Sequence, residues 1–81
     1  MIQELKIKPE YFNKVLLGEK NFEIRFNDRN YAKGDVLILK EFVDGRYTGQ
    51  QVKAKVIYML EHKDFPEGIP EGYVALGIKN I

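Results

Sequence analysis

Lys20, Glu23, Arg25 and Arg29 lie together in GEKNFEIRFNDRN, Gly18 to Asn30, and their types suit recognition of a polar, charged ligand. Lys20 supplies a mobile point charge, and Arg25 a planar fork that matches phosphate or a base edge. Glu23, two residues before Arg25 and on the same side of an extended chain, can orient the guanidinium or accept from an exocyclic amine. Arg29 leaves a turn on a long stem that reaches the same region. Tyr73, which opens the run YVALGI, offers a ring on which a base could stack, or a core-edge tyrosine. The same residues also read as a solvated strand face carrying an ion pair worth about 0–1 kcal/mol. Lys20, Arg25 and Arg29 are nearly matched by Glu19, Glu23 and Asp28. A cleft built from this stretch alone would hold its ligand by directed hydrogen bonds rather than by net charge.

Little else in the chain has catalytic character. His62 is the single histidine and there is no cysteine, so no zinc-ligand set can form from these types. Serine is absent, which excludes a Ser–His–Asp arrangement, and no glycine-rich phosphate loop occurs. No cofactor or metal is expected. Lys53 and Lys55, with Lys40 and Arg46, form either a basic stripe or a solvated strand face. Asn27 and Asp28 read first as turn formers.

These residues must be positioned by one small domain spanning residues 1–81. Its 31% charged and 44% hydrophobic residues suit a folded chain, and the net charge of +1 announces no global field for nucleic acid. The absence of cysteine fits a reducing, cytoplasmic setting, and MIQELKIKPE does not resemble a signal peptide. The longest apolar run, VIYML, is far below the roughly 18 residues that cross a bilayer, so no membrane partner is expected.

IQELKI reads as a strand, and Pro9 suits the first turn of a helix whose stripe includes Tyr11, Phe12, Val15 and Leu16. Gly18 suits a left-handed cap. The period then changes to two in NFEIRF, which predicts Phe22, Ile24 and Phe26 toward the core and Asn21, Glu23 and Arg25 outward. After a KGD turn, VLILKEFV reads as a strand covered on both faces. DGRYTG reads as a hairpin connection, with Val52, Ala54, Val56 and Tyr58 inward on the returning strand. HKDFPEGIPEG is a loop, and YVALGI is a last strand whose Ala75 and Gly77 leave one face small. The expected fold is α+β, mainly β: a curved antiparallel or mixed sheet closing into a small barrel with one flanking helix.

Gly18-Glu-Lys20-Asn-Phe-Glu23-Ile-Arg25 fits GxKxxExR and thereby resembles the signature of ASCH domains, which have the PUA-like β-barrel fold. PEYFNKVLLGEKNFEIRFNDRNYAKGDVLILKEF and EGYVALGI resemble the central block and closing strand of a small bacterial and phage family in that group, DUF3850. The resemblance implies a cleft beside the barrel, bordered by the helix end and the motif strand, that binds RNA or a nucleotide-like ligand. It also implies an alternative, since some small ASCH proteins hydrolyse the amide of N4-acetylcytidine. They use a motif lysine, matched here by Lys20, and a threonine where this chain has Glu23. The only threonine here is Thr48.

The leading expectation is RNA or nucleotide binding through Lys20, Glu23, Arg25, Arg29 and Tyr73, with no catalytic residue. The alternative is an amidohydrolase acting on an acylated nucleoside, with Lys20 and Glu23 as its chemical groups. A third is a scaffold that binds a protein through the barrel edge. A carboxylate or hydroxyl beside Lys20, aromatic rings beside the basic pair, and an exposed apolar patch are the features that separate them.

Overall fold

The computed structural model describes all 81 residues, as β1 (Ile2–Ile7), α1 (Pro9–Leu16), β2 (Phe22–Phe26), β3 (Val36–Val43), β4 (Arg46–Glu61) and β5 (Tyr73–Asn80). The strands form one mixed sheet in the order β1-β3-β4-β5-β2, with β1 parallel to β3 and the other pairs antiparallel. The chain is mainly β with one short helix, as expected. The curl stops short of closure: β1 and β2 are both edges, and no ladder joins them. The result is a half-barrel.

Alternation places Gln3, Leu5 and Ile7 of β1, Leu37, Leu39 and Glu41 of β3, Ala54 and Val56 of β4, and Val74, Leu76 and Ile78 of β5 on the concave face. Helix α1 fills that concavity with Phe12 and Val15, both almost fully buried. Two turns of helix have no independent stability, so this packing holds α1 in place. Its buried stripe is narrower than the spacing predicts, because Tyr11 and Leu16 remain exposed. Pro9 opens the helix. Gly18, at φ +78°, ends it, with amides of Gly18 and Glu19 bonded back to Val15 and Lys14 carbonyls.

The β3–β4 hairpin is tighter than the DGRYTG reading implies. Asp44 and Gly45 both adopt positive φ, as a two-residue type I′ turn requires, and Val43 pairs with Arg46. Irregularities between Lys40 and Phe42 and between Val56 and Tyr58 bend the long β4. The second turns Tyr58 out to solvent, against the inward expectation, while Met59 packs on the core. Strand β3 is not covered on both faces either: the helix covers Leu37 and Leu39, while Val36 and Ile38 are half-buried on the convex side.

The main departure is β2. Phe22, Ile24 and Phe26 are about half exposed, and Glu23 is buried. Register with β5 sets this inversion: Glu23 pairs with Leu76 and Arg25 with Val74, both concave residues, so the charged side chains share their face. Phe22, Ile24 and Phe26 instead oppose Gly77, Ala75 and Tyr73 on the convex side.

Candidate functional site

The inverted strand delivers Glu23 to the seam between the two sheet edges. One carboxylate oxygen accepts from Lys20 Nζ at 2.5 Å, and the other accepts from Arg25 Nε and a terminal guanidinium nitrogen at 3.1 and 2.9 Å. Burial of a carboxylate is costly unless it is paired, and two cations satisfy this one. This is no solvated ion pair, since the side chains of Glu23, Lys20 and Arg25 are 5%, 18% and 26% exposed.

Lys20 also donates to the Phe22 carbonyl at 2.7 Å. Its nitrogen lies 4.9 Å from the Phe22 ring centre and 5.7 Å from that of Tyr11. Two of its three N–H donors are committed, one to a carboxylate and one to a carbonyl, which fixes the ammonium in place.

Arginine side chains close the seam that backbone pairing leaves open. Arg25 donates to the Lys6 carbonyl at 2.9 Å, and Arg29 to the Glu4 carbonyl at 2.7 Å. In return, the Gln3 amide approaches the Arg29 carbonyl at 3.4 Å. The edge of β1 is thus capped by guanidinium groups from β2 and the turn after it. Beside them Asn27 Oδ1 accepts the Tyr31 amide and anchors that turn. Tyr31 is buried, which pushes its phenol above the ordinary 10.0 despite the opposing fields of Arg29 and Arg25.

A cavity of about 720 Å³ opens at this seam, between the end of β1, the exposed side of α1 and the outer edge of β2. Lys20, Glu23 and Arg25 line its floor, Tyr11 and Phe22 stand at its sides, and Lys6, Lys8, Lys14 and Glu19 complete the rim. The lining therefore carries five cations against two carboxylates, unlike the nearly balanced charge of the motif stretch. Lys14 is paired with Glu19 at 3.2 Å; Lys6 and Lys8 pair with no carboxylate, and the Lys6 amine lies 4.5 Å from the centre of the Phe42 ring, which does not line the cavity.

Of the residues singled out in the sequence, Lys20, Glu23 and Arg25 meet here. Arg29 is drawn to the β1 backbone and does not line the cavity, and Tyr73 lies on the convex face against Phe26. Lys6, Lys8, Tyr11 and Lys14 were not anticipated. The alternation KIK at Lys6–Lys8, entering the helix at Pro9, was the available signal for the first two. Thr48 does not line the cavity and donates to buried Glu41 at 2.7 Å. His62 contacts the Ile69 carbonyl through Nδ1 at 2.7 Å and so pins its own loop. No group of three or more His, Cys, Asp or Glu converges as a metal site, and no helix is long and apolar enough to cross a membrane.

A curled half-barrel with a helix in its concavity and a Lys–Glu–Arg cluster at an arginine-capped seam defines the structural class. The crystal structure of hypothetical protein PH0355 has the same fold, with a TM-score of 0.70 over all of both chains at 21% identity. The chain belongs to the family described as Domain of unknown function (DUF3850), whose model matches residues 2–78. It is also similar to the uncharacterized 12.9 kDa protein in the GpA 3' region of Escherichia phage P2, at 44% identity over 66 residues. That match covers 82% of this chain and 61% of the phage protein, so the chain spans about three-fifths of that relative's length.

Proposed function

We propose that this protein binds RNA, or a nucleotide within it, in the seam cavity, as an ASCH-type PUA-like domain. The carrying observation is the cavity's charge and lining together: five cationic residues against two carboxylates, with Lys8 held by no carboxylate, around a space flanked by Tyr11 and Phe22. Lys8 is placed to meet phosphate, and the two rings to cover a base. Buried Glu23 holds Lys20 and Arg25 in fixed positions, so their remaining N–H donors meet a ligand with little loss of side-chain freedom. The GxKxxExR motif in this reading is a positioning device whose charges are internally matched, and attraction comes from the lysines of the rim.

The committed state of Lys20 favours binding over hydrolysis. A carboxylate, the feature that would mark hydrolysis, does stand beside Lys20, but Glu23 accepts from the ammonium and holds it, whereas a base or nucleophile needs a free lone pair. Anisotropy titration of a labelled RNA dinucleotide tests the reading. Lys8→Ala should weaken binding and lower the salt slope by about 0.7, the value for one phosphate contact on a single strand. Dinucleotide binding that is absent, or indifferent to this change, overturns it.

A further inference from the structure

The convex face beside β2 carries a second set of features that the cavity does not use. On β5, Tyr73, Ala75, Gly77 and Lys79 alternate with buried Val74, Leu76 and Ile78. Gly77 lies between Tyr58 of β4 and Phe22 of β2, and Ala75 between Leu60 and Ile24. Small residues on the central strand and large ones on both flanks make a trough along β5. The floor is tight: a Cβ on Gly77 would come within 3.2 Å of the Tyr58 Cβ. Phe26 and Tyr73 close one end edge to face, with ring centres 5.4 Å apart.

At the other end Lys55 lies directly opposite Lys79. Like charges in register across two strands destabilise a sheet, and neither lysine pairs with a carboxylate. Exposed rings followed by an uncompensated cation pair match the requirements of a single-stranded nucleic acid, whose bases stack while its phosphates seek positive charge. The trough is also continuous with the cavity, because Phe22 and Ile24 border both.

We infer that a single-stranded nucleic acid held in the cavity continues over β2 onto this convex trough. Its bases lie on Phe22, Tyr58 and the Phe26–Tyr73 pair, and its backbone meets Lys55 and Lys79. The inference rests on the cavity reading and makes the ligand an oligonucleotide rather than a free nucleotide. From Tyr73 to Lys79 the trough runs about 20 Å at the rise of a β-strand. With the cavity this suits a site of about four to six nucleotides, at the short end for small β-barrel folds.

Anisotropy titrations with labelled oligouridylates of increasing length test this. Affinity should rise up to about four to six nucleotides and then level off. Tyr58→Ala should weaken hexanucleotide binding about tenfold, the loss of one stacked base, and leave dinucleotide binding unchanged. Tyr58→Phe, which keeps the ring, should bind like the parent. Lys55→Ala with Lys79→Ala should lower the hexanucleotide salt slope by about 1.4. A hexanucleotide that binds no tighter than the dinucleotide overturns the trough and leaves the cavity reading standing, whereas no binding at any length overturns both. A dimer in sedimentation velocity that Tyr58→Ala dissolves would assign the face to a second copy, and the inference would fall.

Discussion

Glu23→Ala and Ile24→Ala, neighbours on β2, have opposite expected costs in the alternating sequence pattern and in the folded chain. The alternation makes Ile24 a core residue whose truncation costs about 2–4 kcal/mol, and Glu23 a surface residue of little consequence. In the structure Ile24 is 53% exposed. Removing three carbons at about 0.8 kcal/mol each, with half of their surface already in water, costs about 1 kcal/mol. Removing Glu23 strips three charge-assisted hydrogen bonds and leaves Lys20 and Arg25 facing each other without a counter-charge. Breaking a fully buried pair costs about 3–5 kcal/mol, and the partial exposure of both cations lets water recover some of this, leaving about 2–3 kcal/mol. Urea unfolding followed by circular dichroism measures both variants, provided the slope of free energy against urea is unchanged. A larger cost for Ile24→Ala than for Glu23→Ala would refute the inverted strand, and with it the cavity.

Three further outcomes are expected. The Asp35 carboxyl lies below its ordinary 3.8 because the Ala32 amide donates to it, reinforced by the Met1 ammonium at 3.0 Å and opposed by burial. Its stabilisation is complete above that ordinary value and lost as pH falls through the lower native one, so the stability gap between parent and Asp35→Asn should shrink in acid melts. Tyr31 has its phenol raised above 10.0, first by burial, so its contribution is complete below 10.0 and lost as pH rises through the native value; alkaline unfolding should be milder in Tyr31→Phe. Incubation with N4-acetylcytidine, followed by chromatography, should release no acetate above the uncatalysed rate; turnover that disappears in Lys20→Ala would reverse the preference for binding over hydrolysis.

Local physics made most elements legible in the sequence: Pro9 and Gly18 bracket the helix, Asp44-Gly45 makes the hairpin turn, and alternation marks the strands. The grouping of Lys20, Glu23 and Arg25 was legible too, because residues two or three apart on or beside one strand must lie close. What alternation cannot supply is which of two faces is inside, since a period of two is satisfied equally by either. On β2 that choice rested on pairing with β5, some fifty residues away in the chain, and on the reach of two cations to one buried carboxylate. Long-range pairing likewise decided the open seam, where Arg25 and Arg29 cap the β1 carbonyls, and the charge of the cavity. Lys6 and Lys8 stand across the seam from the motif only because β1 pairs in parallel with β3 at the far edge of a sheet that curls back toward β2. Net charge in a cleft depends on which side chains converge in space, and that is a property of the tertiary structure.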